Sequence, residues 1–201
     1  MLHLTQLPRT CSLVLFALLV SFCLLSCASG STEQQGQTLF EPNTDDWMIN
    51  GDANWDYIDD QWIARLDSGT GFVMTKGMFE DFELTLDFYP DSTVNSGIYI
   101  RCKDAMISAS DCYELNIWDL HPNQDNRTGA VVARAKPLKY VETLNQWNSY
   151  RISVKGDHLQ AWVNDQQTAD LHNSDLATGY LALQAAMGGE VRFRNVRLTK
   201  L

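Results

Sequence analysis

In the stretch FELTLDFY (82–89), an extended backbone places Phe82, Leu84, Leu86 and Phe88 on one side and Glu83, Thr85, Asp87 and Tyr89 on the other. Such strict alternation predicts a half-buried β-strand, and Pro90, which lacks an N–H to donate, ends it. The same period recurs downstream. SYRISV (149–154) and LQAWV (159–163) flank the turn Lys155-Gly156-Asp157-His158, and Asn164-Asp165 supplies another turn, so this region predicts antiparallel hairpins. GYLALQ (179–184) and VRFRNVRL (191–198) close the chain. In the second of these the apolar phase changes between Val191/Phe193 and Val196/Leu198, which predicts a β-bulge near Asn195. From about Trp55 onward no helical period is sustained, and the chain predicts an all-β domain of two packed antiparallel sheets. Trp55, Trp62, Trp147 and Trp162 are expected in its interior, where large aromatics dominate.

Ahead of the strands, Arg9 precedes an apolar run from Cys11 to Leu25, the layout of an export signal over residues 1–26. The run is shorter than the roughly 18–20 residues a spanning helix needs. Leu24-Leu25-Ser26-Cys27 resembles a bacterial lipobox, which implies lipid on Cys27 and a membrane anchor; the alternative is ordinary cleavage near Ala28. The polar segment that follows makes 27–38 an expected anchor and tether, leaving 39–201 as the domain. Losing residues 1–26 removes one basic and no acidic residue, so the net charge of −10 becomes more negative still and nucleic acid is excluded as a natural partner. Of the five cysteines, Cys102 and Cys112 remain as a pair in the mature domain. In an oxidising compartment they are expected to bridge; two buried thiols are the alternative.

The strand pair NSGIYIRC (95–102) and CYELNIWD (112–119) carries the polar chemistry. Tyr113, Leu115 and Ile117 fit a core, which leaves Glu114, Asn116 and Trp118 on the opposite face. On the neighbouring strand Gly97, Tyr99 and Arg101 share a face, so Arg101 is expected near Glu114. An indole beside a carboxylate and an amide suits a sugar, whose C–H face stacks on aromatics and whose hydroxyls need bidentate partners. A solvated sheet face with an Arg101–Glu114 surface ion pair is the plainer reading. Side-chain parity conflicts with placing Cys102 opposite Cys112 on a regular ladder, so the bridge is expected in the irregular loop beyond the strand ends, with 104–111 as an excursion.

NSGIYIR (95–101), YELNIWD (113–119), TGA (128–130), KP (136–137), WNSYRISVKGDHLQAWVND (147–165), GYLALQ and VRFRNVRL, in this order, resemble the motifs of the 3-keto-disaccharide hydrolase domain. The resemblance covers roughly residues 38–201 and implies a concanavalin A-like jelly-roll sandwich with a face that binds 3-keto sugars. The ketone at C3 acidifies the C2 proton, so such an enzyme needs a base, a group to stabilise an enolate, and an acid. By position in the motifs, Glu114 is the candidate base, Arg101 the candidate for neutralising negative charge, and Asp119 or His121 the candidate proton donor. Asn116, Trp118, Lys136 and Gln184, with Tyr99 from the adjoining strand, would be sugar contacts. Glu114, Asp119 and His121 are also donors a divalent cation would accept. His158 and His172 fall in turns and are expected to be solvated.

One departure stands out. Members of the family commonly carry Asp or Gly followed by His after the LQ of the penultimate strand, where this chain reads LQAAMGGE (183–190). The sequence therefore carries an envelope glycoside hydrolase as its first reading and a non-catalytic carbohydrate-binding lipoprotein on the same fold as its second. A structural envelope protein with no small-molecule ligand is the third.

Overall fold

All the strands expected from alternation form in the computed structural model, which describes residues 36–201. The readings of a signal over 1–26, of a lipidated Cys27 and of most of the tether lie outside the described residues. The tether's last residues differ from expectation. Gln37–Thr38 is a short strand, β1, paired with Leu198 and Arg197.

The remaining strands are β2 (Trp47–Gly51), β3 (Asn54–Ile58), β4 (Gln61–Leu66), β5 (Thr70–Thr75), β6 (Phe82–Pro90), β7 (Asn95–Cys102), β8 (Tyr113–Ile117), β9 (Asn148–Lys155), β10 (His158–Val163), β11 (Gln166–His172), β12 (Tyr180–Ala186) and β13 (Gly189–Lys200). They form two antiparallel sheets. One runs β11-β10-β9-β6-β13-β4-β3, with β1 also on β13, and the other runs β2-β5-β12-β7-β8. Leu84, Leu86, Phe88, Tyr150, Ile152 and Phe193 from the first sheet pack with Val73, Ile98, Ile100, Tyr113, Leu115 and Leu183 from the second. Face-to-face burial of two alternating patterns is what makes this a sandwich. The two C-terminal strands are interposed centrally: β12 joins β5 to β7, and β13 joins β4 to β6.

Turn chemistry follows the sequence. Gly156-Asp157 links β9 to β10 with Gly156 at φ +57°, and Asn164-Asp165 links β10 to β11 with both residues left-handed, the geometry of a two-residue hairpin turn. The expected bulge falls where the phase changed: the β6–β13 register shifts between Arg194 and Arg197, with Asn195 at φ +55°.

Of the four tryptophans expected inside, Trp62 is buried and its indole N–H donates to the Phe40 carbonyl at 2.9 Å, while Trp55 is partly buried against the same core. Trp147 and Trp162 instead lie on the outer face of the larger sheet, under Arg194 and Arg151 at 3.9 and 3.5 Å from their ring centroids. A guanidinium stacked on an indole covers its apolar area without a core, which is why size alone misplaced them.

Candidate functional site

Residues paired across antiparallel strands point to the same face. The registers therefore lay two rows across the outer face of the five-stranded sheet. One row is Met48, Met74, Ala182, Tyr99 and Glu114; the next is Asn50, Phe72, Gln184, Gly97 and Asn116. Gly97 leaves a dent between Gln184 and Asn116: a Cβ there would lie 3.5 Å from both Cγ and Oε1 of Glu114.

Glu114 sits at the end of the first row with 8% of its surface exposed, and burial raises its carboxyl above the ordinary carboxylate range. The neighbouring Tyr99 hydroxyl partly offsets the rise. Burial and the neighbouring negative charge push the Tyr99 phenol far upward, so it keeps its proton. Gln184 completes the group: its Nε2 donates to the Tyr99 hydroxyl at 3.1 Å, while its Oε1 is buried and has no hydrogen-bond partner. An unmet acceptor beside a raised carboxyl and a fixed phenol is a place for a hydroxyl-bearing ligand. Phe72 packs edge-on against Tyr99 with centroids 5.6 Å apart and supplies an apolar flank.

Arg101 is not brought to Glu114. It sits at φ +51° in a bulge, where the β7–β12 register shifts between Tyr180 and Ala182, and its side chain turns away from the face that Tyr99 shares. Its guanidinium is buried and donates to the carbonyls of Glu80, Gly156 and Leu176 and to Asp81 Oδ1. The bulge also settles the parity conflict. Glu114 faces Tyr99, and the extra residue swings Cys102 onto the outer face opposite Cys112, where the two form a disulfide with Cα atoms 4.2 Å apart. The bridge thus lies at the strand ends and not out in the loop. Gly179 permits this crossing, since a Cβ there would overlap the Arg101 and Cys102 backbone at 2.3 Å.

Asp119 is also withdrawn from chemistry. It is buried, accepts from the Thr143 backbone N–H at 2.6 Å and its hydroxyl at 2.9 Å, and lies 3.8 Å from Arg127. Asn116 spends its amide on the Asn126 carbonyl and the Ile117 N–H, so it positions a loop and does not offer a sugar contact. Trp118 and His121 pack edge-on at 4.4 Å, and His121 Nδ1 accepts from the Asn123 N–H, which puts the ring proton of the neutral form on Nε2. Lys136 is exposed on the segment beyond Val131–Ala135, which docks along β8 through the Val132 N–H to the Glu114 carbonyl. Glu114, Asp119 and His121 do not converge, and no cluster of three His, Cys, Asp or Glu side chains suited to a metal ion occurs among the described residues. His158 and His172 stack at 4.3 Å, paired with Asp170 and Asp157 at a sheet edge.

Sequence reasoning missed Phe72, Met74 and the floor role of Gly97. The signal was present in TGFVMT (70–75), where Phe72 and Met74 face one way and Val73 the other, a strand apolar on both faces.

A lectin-like jelly-roll sandwich bearing a buried carboxylate, a phenol and an unmet amide oxygen on one sheet face is the architecture of a carbohydrate-directed domain. The chain belongs to the 3-keto-disaccharide hydrolase family: residues 35–199 match its 3-keto-alpha-glucoside-1,2-lyase-like domain. Among solved structures it is similar to a Parabacteroides distasonis protein provisionally described as a glycosyl hydrolase, at 23% identity and a TM-score of 0.65, over 77% of this chain and 99% of that one. It is also similar to a carbohydrate-binding module of Bacillus subtilis, at 20% identity and a TM-score of 0.61, over 79% and 98% of the two chains. Compared in sequence with proteins of curated function, the chain has no match. The family points to glycoside hydrolysis or carbohydrate binding, and the two solved structures share the fold.

Proposed function

We propose that the domain cleaves the glycosidic bond of 3-keto glycosides by elimination and hydration, with Glu114 as the base. The observation that carries this reading is a buried carboxyl, raised by burial above the ordinary carboxylate range, directly across the strands from a phenol that holds its proton. Glu114 takes the C2 proton, and the C–H electron pair forms an enolate with the C3 oxygen. The Tyr99 O–H donates to the developing oxyanion. When the C3 carbonyl re-forms, the pair shifts to make C1=C2, the C1–O bond breaks, and the leaving oxygen takes the proton that Glu114 carries. Water then adds its hydroxyl to C1 and a proton to C2. One water is consumed, and the products are a 3-keto sugar and the free alcohol. Gln184 Oε1 accepts from a sugar hydroxyl in this arrangement. Asp119 and Arg101 take no part, and His121 is packed on Trp118 in the turn after β8.

A 3-keto disaccharide deuterated at C2 is expected to release its sugar with a primary isotope effect of roughly 2 or more on kcat/KM, and conjugated enone is expected to absorb in the near ultraviolet during turnover. Cleavage with no isotope effect would mean direct displacement at C1. Saturable binding with no release would favour the second reading, a carbohydrate-binding domain. One observation favours that second reading. Ala186 stands where the family commonly has its histidine, on the face of Gln184 and opposite Asn95, whose Oδ1 is buried without a partner.

We further propose that the domain, residues 39–201, is exported by a signal over 1–26 and lipid-anchored to the cell envelope through Cys27. Labelled palmitate is expected in the wild-type protein and absent from Cys27→Ser; equal labelling of both would remove the anchor.

A further inference from the structure

Beyond the Glu114–Tyr99 end of the first row, the sheet face continues into a closed loop. The Cys102–Cys112 disulfide joins the ends of β7 and β8, and the loop between them packs Ile107 into one cluster with Tyr99, Met74, Ala182 and both cysteines. A second staple holds the same loop: Arg134 Nη1 donates to the Ala109 and Cys112 carbonyls at 2.8 and 3.0 Å, with its guanidinium over the Tyr113 ring. The loop's polar side chains are spent on one another. The Ser108 hydroxyl reaches Ser110 Oγ at 2.9 Å and donates to Asp111 Oδ2 at 2.9 Å, Ser110 donates to the same Asp111 oxygen, and Lys103 pairs with Asp111. Asp104 accepts from the Met106 N–H at 2.7 Å, and the loop's two large apolar side chains are half-buried Ile107 and, next to it, Met106 with 82% of its surface exposed.

A second sugar ring has hydroxyls on every edge, and burying them against this surface would leave them unpaired. A flat apolar group loses nothing there and gains contact with sulfur and aliphatic carbon. We infer that the 103–111 loop is the specificity-determining wall of the site and that the leaving group it accepts is an aromatic aglycone in preference to a sugar. The inference rests on the sugar site proposed above. It adds that the glycosidic bond at Glu114 directs the aglycone toward Ile107 and Met106, continuous with Tyr99.

Calorimetric titration of the Glu114→Gln protein with 3-keto glucosides bearing either a phenyl group or a second glucose tests this without turnover. The phenyl ligand is expected to bind roughly tenfold more tightly. Adding Ile107→Asn is expected to remove most of that difference while the disaccharide affinity changes by less than about threefold. Because Ile107 is partly buried, Met106→Ser, at an exposed position, is the companion variant, with a smaller loss confined to the phenyl ligand. Equal affinity for the two ligands, or losses shared equally between them, would overturn the wall. A phenyl preference without any C2 isotope effect in the wild type would leave the wall standing and remove the catalytic reading. An isotope effect without preference would do the reverse.

Discussion

Glu114→Gln is expected to lower sugar release from 3-keto substrates by roughly 10²- to 10⁴-fold, the range lost with a general base, while raising the thermal midpoint at pH 8. The two effects have one cause. Burial lifts the carboxyl above its ordinary value of 4.5, so the folded state holds the proton more tightly than the unfolded chain does. The stability this contributes is fully present below the unfolded value and is lost as pH rises through the folded one. An amide of the same shape never ionises and escapes that loss, so the variant's advantage should be present at pH 8 and shrink at pH 4. Steady-state kinetics and thermal unfolding at both pH values read the two arms. A variant that lost stability together with activity would mark Glu114 as a structural carboxylate. The pH–rate profile of the wild type should show its acid limb above the usual carboxylate range, because only the ionised form can take the C2 proton.

Arg101→Met is expected to be the most destabilising single change in this part of the sandwich, by about 3–5 kcal/mol in denaturant unfolding. Methionine keeps an unbranched apolar stem, but the Glu80, Gly156 and Leu176 carbonyls and Asp81 would all lose a donor, and buried acceptors without donors are costly. Those partners tie β7 to the start of β6 and to the β9–β10 turn, so the arginine braces one sheet against the other. If Arg101→Met folded with wild-type stability and lost only turnover, the role in charge neutralisation expected from the sequence would be restored.

The contrast between the two bulges explains what the sequence made legible. At Asn195 the apolar residues themselves change phase, from Val191 and Phe193 to Val196 and Leu198, and the core records the slip. At Arg101 the slip moves a charged residue inward and a cysteine outward. A buried arginine satisfied entirely by carbonyls and one carboxylate looks in sequence like any solvated one. The clash between disulfide and ladder parity was the only trace of it, and a loop excursion explained that clash equally well. Glu114, Tyr99 and Gln184 were legible because each lies opposite a core residue in its strand. Their association was not, since β12 meets β7 only through a long connection that alternation does not encode. The engagement of Asp119, read as a proton donor, and of Asn116, read as a sugar contact, was hidden for a related reason: their partners, Thr143 and Asn126, come from segments between strands that carry no periodicity.

The central placement of β12 and β13 has a consequence for how the chain becomes a protein. During synthesis every strand up to β11 emerges before the residues that join β5 to β7 and β4 to β6, so neither sheet has a continuous ladder until β12 and β13 are free of the ribosome. A nascent chain halted before Tyr180 holds unpaired strand edges in both layers and must be kept from aggregating. Such delayed closure makes β12 and β13 poor places for truncation or for an inserted tag, because a loss there opens both sheets at once.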